Sequence, residues 1–164
     1  MSREKARVFI RPMADKDAVH ELLFKRWNDD CIIFGGRAYT SRDFDTHGAF
    51  DADGNLLAIA MWMMRGKVAL LGAVDSIVPR SGAASQIIAF VADQARRQGA
   101  RSLRAVTTND NLDALRYYQV QGFRLDALFV GAVDAYRGRS DPNFRRIGFY
   151  GLPVRDTLEM EMEL

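Results

Sequence analysis

The apolar stretch across residues 56–78, LLAIAMWMMRGKVALLGAVDSIV, constrains this chain more than any other part of it. Arg65, Gly66 and Lys67 interrupt it, so it does not supply the ~20 uncharged residues that a membrane helix needs. Arg-Gly-Lys is instead turn chemistry, and the two halves read as antiparallel strands joined tightly. The second half, 68–78, is almost wholly apolar, which places it at the centre of a sheet with both faces covered. A chain carrying such a strand must also carry helices or loops to cover it.

The flanks supply them. Val8-Phe9-Ile10 reads as a short strand stopped by Pro12, and Asp15 or Asp17 caps a helix bearing Val19, Leu22, Leu23 and Trp27. Residues 28–46, with Gly35-Gly36 in the middle, read as a long irregular loop and a candidate substrate lid that includes His47 at its edge. Ala49-Phe50, the turn around Asp53-Gly54, and Leu56 onward form a hairpin. Beyond the central strand, Ala84, Ile87, Ile88, Val91 and Ala95 trace one face of a helix closed by Gly99. A strand over 103–107 follows, then a helix capped within Asn109-Asp110-Asn111 and bearing Leu112, Leu115 and Tyr118. Gly122 closes it, and 123–130 reads as a further strand. Residues 134–156 form an arginine-rich connection. The end alternates, with Leu158, Met160, Met162 and Leu164 inward against a wet face of Thr157, Glu159, Glu161 and Glu163.

This order makes an α/β fold. Its 164 residues fit one domain, 1–164. Net charge is +2 with 27% charged residues, which gives no reason to expect nucleic acid or an anionic membrane as partner. The polar start, 1–7, lacks the apolar core of a secretory signal. A single cysteine, Cys31, fits a reducing compartment and no disulfide, so the expected location is cytoplasmic. His20 and His47 have no partners at ligand spacing, and no metal is expected.

Chemistry concentrates at Val78-Pro79-Arg80-Ser81-Gly82-Ala83-Ala84-Ser85. Here a buried strand passes through small residues into an amphipathic helix. The helix's first amides lack internal partners. With the helix dipole and Arg80, they suit a pyrophosphate. A tight turn with a solvated arginine is the plain alternative. The second cluster is Asn111-Leu112-Asp113-Ala114-Leu115-Arg116-Tyr117-Tyr118 followed by Gly122-Phe123. Asp75 is the lone carboxylate of the central strand. Burial would raise its pKa and suit it to take a proton from an amine; a structural carboxylate is the equal alternative.

In this order and spacing, the chain resembles the GNAT superfamily of acyl-CoA-dependent N-acyltransferases. The resemblance runs from Val8-Phe9-Ile10-Arg11-Pro12 to the terminal strand, and Gly151-Leu152-Pro153-Val154-Arg155-Asp156 is similar to an uncharacterised bacterial branch. It implies a single domain with a mixed, mostly antiparallel central sheet flanked by helices, and acetyl-CoA as co-substrate. It also implies roles: Gly82 and Ala84 in the turn holding the CoA pyrophosphate, Asn111 against the CoA arm, and Tyr118 protonating the departing thiolate. Ile77 and Val78 fall where the family's central strand splays. The resemblance departs at Pro79, which stands where the family has Arg or Gln, and in a shorter loop. The acid role suits a phenol, which titrates near ~10 against ~8.5 for a thiol. No activated Ser or Cys nucleophile is evident, so transfer is expected to be direct, to the amine of a small molecule or a protein. The alternative is a CoA-binding sensor of the same fold. Either is expected as a monomer or homodimer.

Overall fold

The structure, a computed structural model, describes residues 7–164; the rest of the polar start lies outside the described residues. Strand β1 (Phe9–Pro12) pairs with β4 (Asp45–Phe50), which is joined by a hairpin to β5 (Leu56–Arg65), and β5 by a second hairpin to β6 (Val68–Ser76). Pro12 does not stop β1 but lies within it, opposite His47. An edge strand leaves one side free of the ladder, so the missing donor is tolerated. Helix α1 (Lys16–Trp27) follows β1. The Asp15 carboxylate accepts the amides of Asp17 and Ala18 at 3.0 and 3.1 Å, and Asn28 ends the helix at φ 56°.

After β6 come α2 (Ala83–Arg97), β7 (Ser102–Thr108), α3 (Leu112–Val120), β8 (Arg124–Phe129), α4 (Ala132–Arg139) and β9 (Thr157–Glu163). The seven-stranded sheet runs β1-β4-β5-β6-β7-β9-β8, and every neighbouring pair is antiparallel except β6 with β7. This is the mixed, mostly antiparallel sheet that the sequence implied. Helix α2 covers one face with Ile87, Ile88, Val91 and Ala95, packed with Leu71, Leu103 and Trp62. Each fully buried Ile or Leu of this kind contributes about 1.5–3 kcal/mol.

The other face carries two corrections. Residues 28–46 are not irregular: they hold β2 (Ile32–Phe34) and β3 (Arg37–Tyr39), a small hairpin turned by Gly35 and Gly36 at φ 55° and 75°. Three consecutive buried residues in β2 pack inward, which hides the alternation a solvated strand would show. That hairpin lies against β9, so the face of β9 read as wet is buried in its first half. Thr157 and Glu159 are 2% and 5% exposed, and Glu159 accepts the Gly35 amide at 2.6 Å and meets Arg104 at 3.3 Å. A third correction is α4, most of which falls in the 134–156 stretch read as connection. It buries only Ala132, Val133 and Arg137, too small a face to give a clear helical period.

The feature that positions the site is the short parallel pair. β6 and β7 pair from Val68 opposite Ser102 to Leu71 opposite Ala105. Beyond that point β6 stays with β5 as far as Ser76, and β7 stays with β9 as far as Thr108. The two strands therefore part in the middle of the sheet.

Candidate functional site

Two cavities, each of about 450 Å³, open where the strands part. One lies on the α2 side and is lined by Ser76, Arg80, Gly82, Ser85 and Tyr117. The other lies toward β2 and β9 and is lined by Asp29, Ile32, Ile33, Val106, Phe144 and Thr157. Val74, Ala114 and Tyr118 line both. Tyr118 is 5% exposed, its ring packs on Phe123 at 5.3 Å, and its oxygen receives a backbone hydrogen bond from Val74 on the parted strand. Burial pushes its pKa well up, so the phenol is held protonated.

Strand, turn and helix create the α2-side cavity. The turn bends through positive φ at Arg80 (62°) and Gly82 (77°), and Gly82 is the N-cap of α2. Arg80, Gly82, Ala84 and Ser85 face this cavity, where the helix's unpaired amides begin. Ser81 and Ala83 do not line it. The Ser81 hydroxyl accepts the Ala83 amide at 3.3 Å, and the Ala83 side chain is fully buried in the core. Asn111 caps α3, accepting the Ala114 amide at 3.1 Å, and lines the second cavity rather than the first.

The parting of the strands lies earlier than the sequence suggested. Ile77 and Val78 follow the end of β6 and line neither cavity, and the Val78 amide is engaged by the Leu57 carbonyl at 3.0 Å. The edge that faces the cleft is Gly72-Ala73-Val74, where β7 has already turned away. Spacing alone places a splay at the end of a strand; the register shows it after Leu71, with β6 continuing to Ser76.

Asp75 is not a lone carboxylate. Arg26 of α1 grips it with two nitrogens, Nε and Nη2, and the Nη2 contact is 3.0 Å. The side-chain hydrogen bond from Arg26 to Asp75 raises the pKa of Arg26. His47 is in β4, not in a lid. Its Nδ1 accepts the Trp62 indole N–H at 3.1 Å, its ring meets Phe90 at 5.1 Å, and burial lowers its pKa. Cys31 borders the second cavity, and burial pushes its thiol up to about 11.

Several residues of the cleft escape a sequence reading. Asp29 accepts the amides of Asp30 and Cys31 on one oxygen at 2.7 and 3.0 Å, and burial raises its pKa. Tyr117 borders the α2-side cavity with its hydroxyl 3.4 Å from Ser85. The Asn109 side chain holds Pro153, Arg155 and Asp156, which brings the 144–156 segment against the start of α3. Only the Asn-Asp-Asn run signalled that something was anchored there.

A parted parallel pair, a helix start on one side and a buried tyrosine between two cavities form an arrangement that comparison identifies. The acetyltransferase (GNAT) family model matches residues 17–123. The chain belongs to the GNAT family. The Bacillus subtilis protein YxbD, itself uncharacterised, is 26% identical over 149 residues, which cover 91% of this chain and 93% of that protein. The GNAT fold is shared with an IAA acetyltransferase from Bacillus cereus (TM-score 0.70, 18% identity, 96% of this chain and 100% of that one). It is shared also with a GNAT family acetyltransferase from Elizabethkingia anophelis with acetyl-CoA bound (TM-score 0.68, 14% identity, 99% and 100%). Among the described residues of this GNAT chain, no helix is long and apolar enough to cross a membrane.

Proposed function

We propose that residues 1–164 form one cytoplasmic acetyltransferase domain that moves the acetyl group of acetyl-CoA directly to a primary amine. The observation that carries this reading is the position of Tyr118, whose oxygen sits at the Val74 amide where the two cavities meet. The residues present fit the co-substrate. Arg80 and the amides of Ser81, Gly82, Ala84 and Ser85 would receive the pyrophosphate at the start of α2, while the Ala83 amide is taken by the Ser81 hydroxyl. The Gly72-to-Val74 edge, rather than Ile77 and Val78, would receive the pantetheine arm, with Asn111 across the cleft.

Tyr118 serves as the acid, its oxygen held in place by the Val74 amide. The amine nitrogen attacks the thioester carbonyl carbon, the C–S bond breaks, and the sulfur leaves with the Tyr118 proton. Tyr118 regains a proton, and the nitrogen releases its surplus protons to solvent. The products are an amide and a free thiol. The dry surroundings that keep the phenol protonated also disfavour a free thiolate, so the proton is taken up as the bond breaks. The high thiol pKa of Cys31 supports direct transfer over an acetyl-cysteine intermediate. For Asp75 the pair with Arg26 favours the structural role over that of general base.

Thiol release from acetyl-CoA in the presence of a panel of amines tests the proposal. Turnover with at least one primary amine, with an N-acetyl product by mass, is expected. Stabilisation of the fold by acetyl-CoA without turnover on any amine would instead indicate a CoA sensor, the reading that Pro79 and the short loop favour.

A further inference from the structure

Resting on the reading that acetyl transfer occurs in this cleft, we propose that the cavity on the β2 and β9 side takes a small primary amine with an apolar body, its ammonium drawn to Asp29. At about 450 Å³ the cavity is sized for a small molecule. Its inner wall is made of Ile32, Ile33 and Phe144, which are 7%, 5% and 7% exposed, with Val106 from β7. An apolar body fills such a wall; a polyamine or a polar peptide backbone would leave its polar atoms dry and unpaired there.

The charges are arranged unevenly. Arg26 is already held by Asp75, and Arg145 stands at the rim with its guanidinium 5.3 Å from the Phe144 ring. Asp29 uses one oxygen, Oδ1, for the amides of Asp30 and Cys31. No hydrogen bond falls on Oδ2 among the described residues. A half-buried carboxylate with an open oxygen, beside the apolar wall of Ile32, Ile33 and Phe144, is a place for one ammonium group. A second cation on the ligand would meet Arg26 and Arg145 instead.

Thr157 of β9 is 2% exposed, lines the same cavity, and its hydroxyl has no hydrogen-bond partner among the described residues. The wall is also fixed in place: Phe149 donates its amide to Asp110 at 2.9 Å, and the Tyr150 hydroxyl donates to Asp113 at 2.7 Å.

The test uses the full chain with saturating acetyl-CoA and three probes: 2-phenylethylamine, spermidine and an alanine-headed hexapeptide. The kcat/KM for 2-phenylethylamine is expected to exceed those for the other two by about tenfold or more. Asp29→Asn should raise the KM for 2-phenylethylamine by about 10–100-fold, the range for losing a hydrogen-bonded charge, and leave kcat within about threefold. Competitive inhibition by 2-phenylethanol, which has the same body without the charge, should be unchanged in Asp29→Asn. A preference for spermidine or the peptide overturns the inference and leaves acetyl transfer standing. So does an Asp29→Asn variant that weakens the amine and the alcohol alike. Absence of thiol release with every amine, while acetyl-CoA still raises the melting temperature, overturns the transfer reading itself.

Discussion

Replacing Arg137 with methionine should loosen one half of the cleft and spare the other. The guanidinium is 7% exposed by side chain and donates to four oxygens: Phe144 O at 3.1 Å, Arg145 O at 2.9 Å, Val154 O at 2.8 Å and Asp134 Oδ1 at 2.6 Å. Methionine has similar length and no donor. The carbonyls of Phe144 and Val154, in residues 7% and 1% exposed, then lose their partner. Each such orphan costs about 1–3 kcal/mol. Part of this is offset, because a buried guanidinium no longer needs desolvating. A net loss of about 2–4 kcal/mol follows, or roughly 5–15 °C in Tm for a domain of this size. Arg137→Lys should recover less than half of it, since one ammonium cannot reproduce the fork. Equilibrium urea unfolding gives the free energy. Steady-state kinetics gives the location: Phe144 and Arg145 border the amine-side cavity, so the amine KM should rise while the acetyl-CoA KM stays within about twofold. A loss below about 1 kcal/mol, or equal changes in both KM values, would refute this account of the segment.

Two further perturbations follow from close contacts. A methyl group on Gly148 would lie 1.9 Å from Asp110 Oδ2 and 2.8 Å from Val154 Cγ2, so Gly148→Ala should lower stability in urea by about 2–4 kcal/mol. Gly138→Ala, with open space around it inside α4, should change little or stabilise by about 0.5–1 kcal/mol. For His47, burial lowers the folded-state pKa below its ordinary value of about 6.5, so the unfolded chain binds the proton first. Its contribution is therefore complete above about pH 6.5 and is lost as pH falls through the window below that value. The drop in Tm between pH 7 and pH 5 should be smaller in His47→Asn than in the native chain.

How legible each part was depended on whether its cause was local. The hairpins at 51–55 and 65–67, the helix start at Gly82 and the cap at Asn111 were legible because turn and cap chemistry acts over a few residues. β2 and β3 were not, because three buried residues in a row follow from what lies over them and not from any period. The burial of Glu159 needs the Gly35 amide, 124 positions away. The same holds within the site. Tyr118 stood out beside Gly122-Phe123, whereas the partner of Asp75 lies 49 residues back on α1, and no spacing rule joins the two. Asp29 and Thr157 meet one cavity only through the packing of β2 against β9. The placement of the splay at Ile77 and Val78 failed for a related reason: where a parallel ladder ends is decided by both strands.

The central claim is that Tyr118 hands a proton to the leaving sulfur where the two cavities join. The measurement that bears on it most directly is kcat for acetyl-CoA thiol release in Tyr118→Phe, taken with an amine the native chain turns over. The change removes one oxygen and leaves the Val74 amide unpaired, so a melt in parallel checks that the fold survives a loss of about 1–3 kcal/mol. The account predicts that kcat falls by about 10²–10⁴, while the acetyl-CoA KM moves by less than about threefold. A folded Tyr118→Phe chain whose kcat stays within about threefold of native would contradict it.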